Sequence, residues 1–239
     1  MARQTQNCSN CPVAGRCIWR ADEKPPAITA TVRLYHRGES IFGAGDPCSD
    51  IYVVRSGLVK VHGITDHGVD HVLGFHYPGS VFGVEGFHLG EHITYAQSVD
   101  TTSICVLPRH QLLSAVKDQP ALMMSLLGIA GGSIAKCVHS QLSLGTMSAE
   151  RKIATFLLNT SEEFARQELS RTDLRLPMQR TEIAGYLSLA IETVSRGFRK
   201  LEDAGVIAVV PDDRHQVTIL SLEGLRECAN PTEALPVAA

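Results

Sequence analysis

The sequence predicts an α+β chain in three parts: an N-terminal antiparallel β-roll of jelly-roll type, a long helix, and a C-terminal winged helix-turn-helix. Three observations predict it. Short apolar runs recur between turn residues across positions 28–117, at the roughly 8–12-residue spacing of sandwiches and barrels. An uncharged stretch of apolar and small residues follows at 119–135. Beyond it, two helical segments, a tight turn, a glycine and a strand–turn–strand occupy 181–220.

Taken in order, residues 1–27 read as an arm bearing Cys8, Cys11 and Cys17 and closing at Lys24-Pro25-Pro26, a stiff boundary. Three cysteines this close to a chain end pack poorly. They bind well, because a flexible segment can wrap three thiolates round one soft metal or iron–sulfur centre. A metal site at one end and a DNA reader at the other suggest a sensor coupled to a switch. Seven cysteines, an odd count, argue against a fully paired disulfide framework. With no apolar leader in the polar start, the expected compartment is the reducing cytoplasm.

The roll is expected at 28–117. Its apolar runs lie at 40–42, 51–54, 58–61, 72–75 and 103–107. Turns punctuate them at Arg37-Gly38, Gly45-Asp46-Pro47, Ser56-Gly57, His67-Gly68 and Pro78-Gly79. A hydrophobic content of 44% with 20% charged residues allows a sizeable core. The net charge of −3 offers no global basic field, so any DNA contact has to come from local placement.

Residues 118–147 read as one helix, with Asp118 as N-cap and Pro120 in the first turn. Leu122, Leu126, Ile129, Ser133, Lys136 and Cys137 approximate a heptad stripe, Lys136 being the polar exception. Its small residues suit close approach of two backbones. The stripe fits a homodimer helix or, alternatively, a helix packed on its own domain. The uncharged segment falls a little short of the ~20 residues of a membrane span and carries three glycines, so a helix–helix contact is expected and a membrane is not.

Residues 148–230 form the expected DNA-binding domain. A helix over 148–167 opens at Ser148, with Arg151 and Lys152 on its solvent side. A short extended segment lies at 174–178. A first helix at 181–187 and a turn at 188–190 lead to a second helix at 191–203, closed by Gly205. Strands at 206–210 and 217–220 make the wing, and 231–239 read as a loose tail. Ile183, Ala184, Leu187, Ile191, Val194, Phe198 and Leu201 are apolar at helical spacing. That leaves Glu192, Ser195, Arg196, Arg199 and Lys200 outward. Arg196 can pair with guanine, Glu192 can accept from cytosine, and Ser195 can meet either kind of edge. Arg180, Arg199 and Lys200 suit phosphates. Glu192 and Arg196, four residues apart, also fit a plain surface ion pair. Ala190 stands where a capping Ser or Thr is expected.

At this point the chain resembles the cyclic-AMP receptor/FNR superfamily of bacterial transcription regulators, and most its fumarate–nitrate reduction (FNR) branch. Gly38-Glu39-Ser40-Ile41-Phe42-Gly43-Ala44-Gly45-Asp46 and Ile51-Tyr52-Val53-Val54-Arg55-Ser56-Gly57 are similar to the superfamily's roll. Ile191-Glu192-Thr193-Val194-Ser195-Arg196 resembles the FNR recognition helix, which reads half-sites of the TTGAT kind. Cys8, Cys11 and Cys17 have the branch's spacing, and Cys105 in Ser103-Ile104-Cys105-Val106-Leu107-Pro108 resembles its distant fourth cysteine.

The resemblance implies a 4Fe–4S cluster on these four thiolates that favours a DNA-binding homodimer and is converted by oxygen. It also implies double-stranded DNA with a palindromic operator, and RNA polymerase touched by loops such as 85–92, as partners. Zinc on the same four cysteines and a bare thiol sensor remain alternatives, as does Cys105 as a buried strand residue. Arg16 stands where an apolar residue would shield a cluster. Cyclic-nucleotide binders of the superfamily place an arginine after a Gly-Glu turn. Here the stretch is Thr94-Tyr95-Ala96-Gln97-Ser98, so a phosphate would lack its counter-charge and no cyclic nucleotide is expected. No catalytic constellation is present, and enzyme activity is not expected.

Overall fold

The computed structural model describes residues 4–5, 11–18, 28–65, 67–68, 70–144, 147–211 and 213–230. Cys8 and the tail at 231–239 lie outside the described residues. The chain forms two compact units, Met1–His139 and Ser140–Ala239.

The first unit contains β1 (Gln4–Thr5), β2 (Thr31–Tyr35), β3 (Ser40–Phe42), β4 (Asp50–Ser56), β5 (Val59–Ile64), β6 (Asp70–His76), β7 (Val81–Phe82), β8 (Tyr95–Ser98) and β9 (Thr102–Pro108), then α1 (Arg109–Asp118) and α2 (Pro120–Leu144). The strands make two antiparallel sheets, ordered β1-β2-β9-β4-β7 and β3-β8-β5-β6. Four of the five apolar runs of the sequence lie wholly in strands, and the fifth, 58–61, begins one residue before β5. β2, β7 and β8 escaped the reading because they are short or mix polar residues into their alternation.

Side chains alternate across a strand, and β4 and β9 bury both faces. Tyr52, Val54, Ile104 and Val106 meet Phe42, Val59 and Ala96 of the other sheet in one core. Ile51, Val53, Cys105 and Leu107 face away from it, into a second core completed by Ile18, Ala30, Leu112 and Leu122. This double burial is why their sequences are continuous apolar runs rather than alternating ones.

Two expectations change at the helices. Asp118 does not cap the long helix; it is the last residue of α1, a helix not foreseen in the sequence. Gln119 separates the two, with φ −134° and ψ 85° and its N–H on Ala115 O at 3.0 Å. The cause is Pro120, which disfavours helical backbone at the residue before it. The helix α2 that begins there is largely exposed, and the division between the two units falls inside it, after His139.

The second unit contains α3 (Ala149–Arg166), β10 (Asp173–Arg175), α4 (Arg180–Leu187), α5 (Ile191–Asp203), β11 (Ile207–Val210), β12 (Asp213–Ile219) and α6 (Leu222–Ala229), with sheet order β10-β12-β11. Ser148 caps α3, accepting from Arg151 N at 3.2 Å. Arg151 and Lys152 are not merely on its solvent side. Arg151 Nε donates to Ala229 O at 2.8 Å and Lys152 Nζ to Leu187 O at 3.4 Å, so both close the ends of neighbouring helices, where orphan carbonyls need partners. α6 was not foreseen; Ser221 caps it by accepting from Gly224 N at 3.0 Å.

Candidate nucleic-acid interface and thiol site

α4 and α5 form the helix-turn-helix. The N–H of Gln179 bonds Glu182 Oε2 at 2.8 Å and starts α4. Ser188, left-handed at φ 53°, turns the chain, and Leu189 N reaches back to Ala184 O at 3.0 Å. Ala190 takes the cap position of α5 with no side-chain cap bond, which forgoes about 1 kcal/mol relative to Ser or Thr. Ile183, Ala184, Leu187, Val194, Phe198 and Leu201 are buried as the periodicity requires. Ile191 departs from that set: it is exposed, in the first turn beside the residues assigned to bases.

Glu192, Ser195, Arg196, Arg199 and Lys200 are all exposed on α5. Among the described residues no ion pair joins Glu192 to Arg196. Arg196 Nη2 instead donates to Thr193 Oγ1 at 3.3 Å, which leaves the carboxylate open to other donors. The sequence pattern did not single out Thr193, whose hydroxyl holds the Arg196 guanidinium. The three basic side chains expected on phosphates are not alike. The Arg180 guanidinium lies over the Phe198 ring, 3.6 Å from its centroid. Lys200 Nζ pairs with Glu150 Oε1 of α3 at 2.5 Å, and that hydrogen bond holds the Glu150 carboxyl below its ordinary range. Arg199 has no ion pair among the described residues.

In the first unit, residues 11–18 fold into successive turns, with Ala14 N on Cys11 O at 2.9 Å and Arg16 N on Val13 O at 3.1 Å. Val13 and Ile18 are buried and anchor the segment. Cys17 packs against the core cluster that contains Cys105, on the outer face of β9, while Cys11 is half-buried. The structure therefore brings an arm thiol and the roll thiol to one apolar patch. Among the described residues no group of three or more His, Cys, Asp or Glu side chains is gathered as a metal requires. Cys48 lies apart: its thiol donates to Gly83 O at 3.4 Å, and burial pushes its pKa up.

Beside the stretch Thr94-Tyr95-Ala96-Gln97-Ser98, side chains of the protein pair with one another. Glu85 Oε1 accepts from His92 Nδ1 at 3.0 Å and from Thr94 Oγ1 at 3.1 Å. The fully buried His92 ring stacks on Phe42 at 3.7 Å between centroids.

The stripe foreseen on α2 divides. Leu122, Leu126 and Ile129 pack on the roll's outer core, as the own-domain alternative has it, whereas Ser133, Lys136 and Cys137 are exposed. A different stripe is open: Met124, Leu127, Ile134 and Val138 are 67%, 55%, 65% and 51% exposed. With Gly131 they follow a three–four–three–four spacing that was legible in the sequence. Pro120–Val138, 19 residues, is long and apolar enough to cross a membrane by length and composition.

A roll followed by a winged helix-turn-helix defines a DNA-binding transcription regulator. Comparison with known proteins agrees. A family model described as "Crp-like helix-turn-helix domain" matches residues 151–228, and one described as "Cyclic nucleotide-binding domain" matches residues 32–119. The transcriptional activator protein FnrA of Stutzerimonas stutzeri is 32% identical over 94% of this chain and 93% of its own length. The fumarate and nitrate reduction regulatory protein of Escherichia coli K12 is 30% identical over 85% and 83%. Among solved structures, FixK2 from Bradyrhizobium japonicum superposes with a TM-score of 0.75 at 28% identity, covering 83% of this chain and 96% of that one. The chain belongs to the CRP/FNR family of transcription regulators, which are not enzymes, and it resembles FNR, Anr and FnrA.

Proposed function

We propose that the chain is an oxygen- or redox-responsive cytoplasmic regulator in which Cys8, Cys11, Cys17 and Cys105 hold a 4Fe–4S cluster. The observation that carries this reading is the packing of Cys17 against the apolar patch of Cys105. Soft thiolates in a low-dielectric surround suit iron–sulfur ligation. Bound there, the cluster supplies an oxygen-labile link between arm and roll. The chain's own residues do the rest. Val13 and Ile18 hold the arm down, Leu122 and Leu126 carry the state of the outer core into α2, and a second copy covers Met124, Leu127, Gly131, Ile134 and Val138. An apolar stripe beside one already packed on the roll fits a partner helix better than lipid. This reading moves the dimer contact off Leu122, Leu126 and Ile129.

In the dimer two modest half-site contacts reinforce each other through effective concentration, on a palindrome of TTGAT type in double-stranded DNA. Glu192, Ser195 and Arg196 read bases there, and Arg180, Arg199 and Lys200 meet phosphates. The loop at 85–92, exposed at residues 88–91, touches RNA polymerase. Cyclic nucleotide is not the effector: the nucleotide stretch lacks arginine, and Glu85 is already bonded within the chain.

The test is metal analysis and visible absorption of anaerobically purified protein, with operator binding before and after air. Broad brown absorption with about four irons per chain, lost together with DNA binding in air and absent from Cys105→Ser, is expected. A colourless zinc protein, or an iron-free one with full operator affinity, overturns the reading.

A further inference from the structure

The arm has a seat on the roll to which the cysteine spacing does not point. β6 and β7 are joined at residues 77–80, where Ser80 N donates to Tyr77 O at 2.9 Å. Pro78 and Gly79 are the central pair and Gly79 has φ +92°, a type II turn, which requires positive φ at that position. The turn is pinned to the sheet by Gly79 N on Val54 O at 2.8 Å and Val54 N on Ser80 O at 3.1 Å. Its bare Cα faces the arm. A Cβ on Gly79 would lie 2.9 Å from Arg16 O and 3.1 Å from Arg16 Cβ. Arg16 is the residue before Cys17. Directly after the turn, Val81 pairs with Val53 and Val53 with Cys105. Val81, two residues past the seat, and the roll thiol therefore share one cross-strand row, with β4 between them.

We propose that Gly79 is a positioning residue for the thiol site: its missing side chain lets the Arg16 backbone rest on the roll, and that contact brings Cys17 to the face carrying Cys105. The inference rests on the reading of these cysteines as one site, but the docking is a property of the polypeptide with or without metal. Any side chain at this position meets backbone, which cannot swing aside as a flexible side-chain end can. Loss of the seat shifts the arm and leaves the sheet bonds of the turn in place.

The test uses full-length, metal-free, reduced protein. The rate of maleimide labelling at each cysteine is read by peptide mass spectrometry, with Cys48, 2% exposed, reporting any general opening. Gly79→Ala carries both the clash and the cost of positive φ. Gly79→Asn keeps the clash but tolerates positive φ, so one variant remains if the other fails to fold. Gly38→Ala is the control, since Gly38 has φ +82° and nothing within 4 Å of a Cβ.

Cys17 is expected to label at least about tenfold faster in both Gly79 variants and no more than about twofold faster in Gly38→Ala, with Cys48 unchanged. Equal Cys17 rates in the Gly79 and Gly38 variants overturn the proposal, as does Cys48 accelerating in step with Cys17. Iron uptake measured alongside separates the two readings. Wild-type protein that takes up no iron while Cys17 labelling still distinguishes the variants leaves the seat standing and removes the cluster.

Discussion

Two helices of this chain, α5 and α2, each bury one face and expose another, and the exposed faces differ in kind. On α5 the open face is Glu192, Ser195, Arg196, Arg199 and Lys200, polar side chains that water or a neighbouring side chain satisfies. On α2 the open face is Met124, Leu127, Ile134 and Val138, which water does not satisfy. A polar face marks where the protein reads a ligand it can release. An apolar one of this length marks where it requires a covering surface.

The strongest way to break that contrast is Ile134→Glu. Burying such a side chain is worth about 1.5–3 kcal/mol, counted twice in a symmetric pair. Dimer affinity is expected to fall about a hundredfold or more, with operator binding falling alongside, while the monomer keeps its thermal stability. Sedimentation and anisotropy titrations check it; an unchanged dimer would place the contact elsewhere.

The next effect concerns Lys136, the charge on the mostly apolar α2. Burial first, and the Lys136 ammonium second, lower the His76 pKa to about 4. In the unfolded chain the ring protonates near 6.5, so the native state resists a proton that the unfolded state accepts. Stability from this group is intact above about pH 6.5 and is lost progressively as pH falls from there to 4, on the order of 2 kcal/mol because the residue is half-buried rather than fully enclosed. His76→Gln should flatten denaturant midpoints between pH 6.5 and 4; an equal slope in the variant refutes the assignment.

On α5 the effects are smaller and fall on recognition. Arg196→Ala should lose about 1–3 kcal/mol of discrimination at one guanine with unchanged folding, measured against operators substituted base by base. Smallest is Lys200→Ala. Its partner Glu150 already holds the ammonium, so the slope of log affinity against log salt should drop by less than the ~0.9 of a full phosphate contact. Arg199→Ala should show the whole drop. Equal slopes would mean that the Glu150 pair opens freely on DNA.

The DNA reader was legible because its signals are local. The 3.6-residue period, the turn at 188–190 and Gly205 each act within one or two helical turns, and the structure returns α5 at the expected bounds. Ile191 alone of that apolar set departs from the period, standing exposed in the first turn of α5. The roll's buried strands were legible for the same reason. β2, β7 and β8 were not, since a two- to five-residue strand is made by its pairing partners and leaves little trace in its own composition.

By itself the sequence determined the order of parts, the polar face of α5, the apolar character of α2 and the soft donors at Cys8, Cys11, Cys17 and Cys105. Only the tertiary structure decided which stripe of α2 the roll already uses, that Glu150 claims Lys200, that His92 occupies Glu85, and that Arg16 rests on Gly79. Local pattern fixes what a side chain can do. Which of its possible partners it meets depends on contacts between positions far apart in the chain, 63 residues at Gly79 and 78 between Arg151 and Ala229, and no window along the chain contains both ends of such a contact.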